Sequence, residues 1–263
     1  MSLIWNASFP LLRLKGRGVR VFLQGQTSAD INAAVIGEPM QACWLTATGR
    51  LRAVLEIRLD SEGADVLILA GDADAVRSGF DQVIFPADRV RLGAIRQQNR
   101  IQELTTDATA IWIDDADALP QALAQSHPAT ALEIEQWRVQ EGFPPGPGEL
   151  SGDTNPLELG LADRVSTSKG CYLGQETMAK LVGNAGVKQQ LRTWRCLEAV
   201  AVGDRLEHGD ERAGVVTTAV AMGDSWVGLA LVRRLHLEQI ELSGPADQIL
   251  RLQRPRAFQG CDD

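Results

Sequence analysis

The stretch Ser166–Lys180, STSKGCYLGQETMAK, decides how the rest of the chain is read. It sets one thiol, Cys171, between Lys169 and Lys180 and just ahead of Gly174-Gln175-Glu176. Gly170 frees the backbone immediately before the thiol. The spacing predicts a helix from near Tyr172 to Leu181. Cys171 would then lie at its N-terminal end, where unpaired N–H groups and the Lys169 cation favour a reactive thiol. On such a helix Gln175 follows Cys171 by about one turn, and Glu176 and Lys180 make an i,i+4 pair in the favourable orientation. A nucleophilic cysteine also needs a base, and His127, His208 and His236 are all remote in sequence. A small buried side chain in a tight turn is the competing reading of Cys171. Lys169 and Lys180 equally read as solvated helix-end charges.

Composition narrows the choice. The chain has 263 residues, 44% of them hydrophobic, so a sizeable core is expected and disorder is not. Its net charge of −8 repels a phosphate backbone at long range, which argues against nucleic acid as a direct partner. No run approaches the ~20 apolar residues of a spanning helix. The opening MSLIWNASFPLLRLKG lacks a basic leader region, so no signal peptide is expected and a cytoplasmic protein is. The four cysteines, Cys43, Cys171, Cys196 and Cys261, form no C-x-x-C pair, and the three histidines are scattered, so no metal site is expected.

Outward from the cysteine segment the chain reads as α+β. LLRL (11–14) is a strand, a helical turn follows over 19–23, and Thr27, Ser28 and Asp30 look like a capping cluster. QACWLTATGRLRAVLEIRLDSEGADVLILAG reads as three strands, the last two a hairpin. GDADAVRSGFDQVI is a helix with an Asp cap, and DRVRLGAI starts another strand. ATAIWI (108–113) reads as a strand, ALPQALAQS (118–126) as a helix and ALEIEQWRVQEGF (131–143) as a longer one. PPGPGELSGDTNP (144–156) is a loop long enough to be functional. Beyond Gly186, short apolar runs alternate with Gly-Asp turns, which predicts a small antiparallel barrel ending in a frayed tail. The expected domains are 1–186 and 187–263.

KGCYLGQETMAK resembles the signature K-G-C-Y-x-G-Q-E-x-x-A-R of the YgfZ-type folate-binding proteins, in the superfamily of the glycine-cleavage T-protein, an aminomethyltransferase. Lys180 stands where that family usually has Arg. FLQGQTSADI (22–31), TATGRLRAVLEI, RVQEGFP, NPLELGLADRVSTSKGCY and AGVVTTAV are similar to further segments of the same family, so the resemblance runs over most of 11–235. It implies an α+β fold with two ferredoxin-like lobes, intertwined in sequence, and a C-terminal antiparallel β-barrel. The three lobes would form a ring around a central channel, with tetrahydrofolate or a derivative in the channel. It implies an accessory role in iron–sulfur cluster assembly or repair, serving enzymes that include one modifying tRNA. The implied partners are folate and iron–sulfur enzymes or assembly factors, with no direct nucleic acid and no membrane, and the chain is expected to be monomeric.

Carried over residue by residue, the resemblance makes Cys171 the reactive thiol, with Lys169, Gln175 and Glu176 around it. It gives the pterin edge to Gln140; the needs of a folate add Trp137 and Tyr172 as candidates for the pteridine slot, Arg138 and Lys180 for the carboxylate tail, and Asn155 in the long loop. Two departures argue against aminomethyl transfer. Val54 or Leu55 occupies the position of the catalytic aspartate, and Gln140, with Glu141 next to it, occupies that of a pterin-binding glutamate. A missing general base is worth about 10²–10⁴-fold in rate. The alternatives are a folate-dependent one-carbon transferase that works with a replaced base, and a protein-binding scaffold that has lost the ligand.

Overall fold

The structure is a computed structural model that describes residues 2–106, 108–114 and 119–261. By compactness the chain forms two units, one of residues 1–129 and 164–179, the other of 130–163 and 180–263.

The first unit is built on the apolar strands that the sequence marks. Strands β1 (Leu3–Lys15), β2 (Pro39–Leu45), β3 (Leu51–Leu59), β4 (Gly63–Gly71), β5 (Arg91–Glu103) and β6 (Ile111–Ile113) make an antiparallel sheet in the order β2-β3-β4-β1-β5-β6, and the two-residue β7 (His127–Pro128) joins β1 in parallel. The β3–β4 hairpin is closed by Asp60, whose Oδ1 accepts from the N–H groups of Glu62 and Gly63. Almost every residue of β3 and β4 is buried, as expected for strands covered on both faces.

Helices α1 (Val19–Gln26) and α2 (Ala73–Asp81) contribute Phe22 and Phe80 to one cluster with Trp44, Leu55 and Ile68. The Phe22 and Trp44 rings meet Phe80 edge-on, at 5.4 and 5.6 Å between centroids. Truncating a ring like Phe80 in such a core costs about 3–5 kcal/mol. Helix α2 starts where it does because Asp72 Oδ1 accepts from the N–H groups of Asp74 and Ala75. A second, smaller cluster gathers Ile4, Ile101 and Leu123.

The second unit holds α3 (Ala131–Glu141) and a closed barrel. Helix α3 opens on a capping box, in which Thr130 Oγ1 accepts from Glu133 N–H and Glu133 Oε2 accepts from Thr130 N–H. It ends at Gly142, in the left-handed region at φ 73°. The barrel runs β10-β11-β8-β13-β12-β9, from β8 (Gln189–Cys196), β9 (Arg205–His208), β10 (Glu211–Met222), β11 (Ser225–Arg233), β12 (Glu241–Ser243) and β13 (Ile249–Gln253). Trp194 anchors its core, with Nε1 donating to the Leu229 carbonyl.

The α+β class and the C-terminal barrel are therefore as expected, with the strands of the first unit joined in one continuous sheet. Three local expectations change. The helix expected over 118–126 is only a 3-10 turn, Gln121–Leu123, and Ala118 lies outside the described residues. Of the capping cluster only Asp30 caps, through Asn32 N–H, and Thr27 Oγ1 instead donates back to Leu23. The tail is packed rather than frayed: Phe258 is buried, and Gln259 exchanges backbone hydrogen bonds with Gly160 and Ala162. The last two residues of the expected tail, Asp262 and Asp263, lie outside the described residues.

Candidate functional site

Three segments far apart in sequence converge in the first unit: 25–29, 45–50 and 164–178. Ser28 is the pivot. Its Oγ accepts from Cys43 N–H and donates to the Arg164 carbonyl, and its own carbonyl accepts from Ser166 N–H. Gly25 accepts from Leu173 N–H. The turn at Gly49 (φ 75°) presses so closely on Thr177 and Met178 that a Cβ there would sit 2.8 Å from them. Gly174 (φ 87°) lies equally close to the Thr46 carbonyl. Both glycines allow a backbone approach that a side chain would block.

Lys169 ties the loop down. Its ammonium is buried and donates to the carbonyls of Thr27 and Ala29 at 2.7 and 2.6 Å. It also lies 4.8 Å from the centre of the Tyr172 ring. Burial pushes the Lys169 pKa down to about 8, with Asp30 opposing the shift. Burial, with the Cys43 thiol adding to it, pushes the Tyr172 phenol up to about 12. The Tyr172 hydroxyl donates to the Ser166 carbonyl. Between these two anchored residues Gly170 and Cys171 are exposed.

The local secondary structure differs from the expectation. Helix α4 spans Gln175–Lys180 and continues into a π-helical turn, Leu181–Ala185. Cys171 thus lies four residues ahead of the first helical residue rather than at a helix start. Lys169 points into carbonyls rather than standing as a free surface charge. Gln175 is half-buried and Glu176 exposed.

The residues expected at the folate fall in both units. Tyr172 is in the first; Trp137, Arg138, Gln140, Asn155 and Lys180 are in the second. Arg138 is a brace. Its Nε and Nη2 donate to Glu135, its Nη1 donates to Glu149 and to the Pro144 carbonyl, and Nη2 also reaches Thr218 Oγ1. Those five bonds equal the donor capacity of a guanidinium. Burial opposes its charge, but Glu135 and Glu149 outweigh that and raise its pKa further. Glu149 closes the knot by accepting from Thr218 Oγ1 and from Gly146 N–H. Asn155 Oδ1 accepts from the N–H groups of Leu157 and Glu158, so it holds its own turn. Trp137 is buried and Lys180 exposed. Gln140 is exposed, and among the described residues its side-chain amide has no hydrogen-bond partner. Glu141, its neighbour, is buried, with Arg256 at 3.7 Å.

Sequence reasoning missed three working residues. Thr27 and Ser28 read as caps, and only the fold makes them the seat of the cysteine loop. Glu56 went unremarked. It is buried on β3, where it accepts a two-pronged pair from Arg100 at 3.2 and 3.1 Å and further bonds from Gln41 and the Trp112 indole. The adjacent Val54 and Leu55 are fully buried. Among the described residues no three His, Cys, Asp or Glu side chains gather as metal ligands, and no helix is long and apolar enough to cross a membrane.

The fold is that of the glycine-cleavage T-protein. The glycine cleavage system aminomethyltransferase T of Bartonella henselae matches with a TM-score of 0.77, over 98% of this chain and 86% of that one, at 14% identity. In sequence, an Arabidopsis thaliana chloroplastic protein whose name reads "putative transferase" is 32% identical over 109 residues. That stretch is 41% of this chain and a quarter (25%) of the relative's length. No family model matches the chain.

Proposed function

We propose that the chain is a YgfZ-type protein, which binds tetrahydrofolate on a T-protein scaffold and supports iron–sulfur enzymes through an exposed thiol. The observation that carries the reading is the convergence of 25–29, 45–50 and 164–178 around Cys171. These are the segments that bear the resemblance, and every anchored group serves to hold an exposed sulfur in place. A thiol kept for packing would not sit at the surface between the buried Lys169 and Tyr172.

The folate assignment narrows to the residues with polar groups to spare. A bound reduced folate would supply a carrier for one-carbon units. Gln140 offers an uncommitted amide to the pterin edge, and Lys180 an exposed ammonium to the carboxylate tail. Arg138 has spent its donors, and Asn155 its side-chain oxygen, within their own unit, and both support the fold instead.

Aminomethyl transfer is the weaker reading. Val54 and Leu55 cannot take a proton, and the nearest carboxylate on that strand, Glu56, is held by Arg100, Gln41 and Trp112.

Calorimetric titration with tetrahydrofolate tests the ligand. Binding at micromolar concentration that weakens in Gln140→Ala supports the proposal, and no binding removes the folate from it. Complementation tests the thiol. Cys171→Ser should fail to rescue a strain lacking its own YgfZ-type protein, and full rescue would return Cys171 to packing.

A further inference from the structure

A second surface of the first unit is centred on residues 13–21 and 83–93 and meets the cysteine site only at Gly25 and Gln26. The loop after β1, Lys15-Gly16-Arg17-Gly18, is pressed onto the backbone of Asp88-Arg89. A Cβ on Gly16 would fall 2.0 Å from the Arg89 carbonyl oxygen, and one on Gly18 1.7 Å from that of Asp88. Only glycine permits this contact, and the contact joins the two loops into one rigid platform. Arg89 is itself held at φ 55°, a conformation that costs a non-glycine residue about 1–3 kcal/mol.

Two hollows open on this platform and share Arg17 and Arg89. One, of about 680 Å³, is basic, lined by Arg13, Lys15, Arg17, Arg89 and Arg91. The other, of about 510 Å³, is bordered by Val21, Val83 and Phe85. Arg13 is matched by Asp60, and Lys15 stands 3.9 Å from Glu62. Among the described residues Arg17, Arg89 and Arg91 have no carboxylate partner, in a chain whose net charge is −8. The nearby Asp88 is engaged with the Phe85 N–H. Meanwhile Val21 is 75% and Phe85 66% exposed.

We infer that residues 13–21 and 83–93 form a docking site for an acidic, amphipathic segment of a partner protein. Its carboxylates would meet the guanidinium forks of Arg17, Arg89 and Arg91, and an apolar side chain would fill the hollow beside Phe85. Paired carboxylate and apolar recognition fits a peptide better than a nucleic acid. The site offers one exposed aromatic ring, Phe85, where strand binders stack bases on several. The platform is preformed, so docking would cost little reordering. The inference is independent of folate binding and of Cys171.

The test uses the full chain and a labelled peptide of alternating Glu and Leu, followed by fluorescence anisotropy. Polyglutamate and a single-stranded DNA oligonucleotide serve as comparators. The peptide should bind in a salt-sensitive way. Arg17→Glu combined with Arg89→Gly, which keeps the left-handed backbone available, should weaken it by roughly tenfold or more. Phe85→Ser should weaken the peptide but leave polyglutamate unchanged. The inference is overturned if the peptide fails to bind, if its binding ignores these substitutions, or if the oligonucleotide binds tighter through the same arginines. Unchanged circular dichroism confirms that each variant is folded.

Discussion

Lys169 in the first unit and Arg138 in the second are both buried cations at the heart of a loop cluster, yet their charges are held in opposite ways. Lys169 donates its hydrogen bonds to the neutral carbonyls of Thr27 and Ala29, and its pKa falls to about 8. Arg138 meets Glu135 and Glu149, and its pKa rises. Carbonyl dipoles satisfy the hydrogen bonds of an ammonium without offsetting the lost hydration of its charge; carboxylates do both. The cysteine loop is therefore anchored by a cation that titrates close to neutral pH, and the Arg138 knot by one that keeps its charge.

The contrast breaks first at Glu149. Glu149→Ala leaves Arg138 without its buried carboxylate partner and Thr218 without its acceptor. It should cost about 3–5 kcal/mol, read by urea denaturation. A loss below about 1 kcal/mol would mean that the knot contributes little to stability.

Lys169→Met is the matching experiment in the first unit. Removing the ammonium relieves a desolvated charge but leaves two buried carbonyls without a donor, so the net loss at neutral pH should be smaller, about 1–2 kcal/mol. The sharper readout is pH. Between the folded value of about 8 and the ordinary 10.5, the unfolded chain binds more protons at this lysine than the folded one does. Stability contributed by this site therefore rises with pH across that window. Tyr172 acts oppositely. Its phenol is raised from 10.0 to about 12, so stability is lost as pH climbs through that range. Denaturation midpoints should improve from pH 8 towards 10 in the wild type and stay flat in Lys169→Met. An equal slope in both would assign the effect to another group.

Gly174→Ala probes the loop backbone. At φ 87° and close to the Thr46 carbonyl, alanine should cost about 1–3 kcal/mol and loosen the cysteine segment, seen as faster amide exchange over 166–174.

The smallest effect belongs to the residue with the most at stake. Cys171→Ser, at an exposed position, should change stability by less than about 0.5 kcal/mol. Native alkylation followed by peptide mapping should modify Cys171 and Cys261 and spare the buried Cys43 and Cys196. Protection of Cys171 would contradict its place at the surface.

The legibility of the molecule followed the range of the interactions. The β3–β4 hairpin, the Asp72-capped α2 and the helical spacing of α3 were plain in the sequence because period, cap and turn residues lie within a few positions of one another. The 118–126 segment and the tail misled for the converse reason. Apolar spacing over 118–126 suggested a helix where only a single 3-10 turn forms, and the polar tail is ordered by pairing with Gly160 and Ala162, about a hundred residues away.

For the site, the sequence by itself determined which segments bear the resemblance, that Cys171 is the one thiol among them, and that Val54 and Leu55 are aliphatic. Tertiary structure alone decided what each polar group does. It turned Lys169 inward onto Thr27 and Ala29, committed every donor of Arg138, left the Gln140 amide open and put Cys171 at the surface. The physical reason is that residue type sets which bonds a side chain can form, whereas burial and partners set which it does form. Several of those partners, Glu149, Thr218, Ala29 and Thr27, lie from 11 to 142 residues away along the chain.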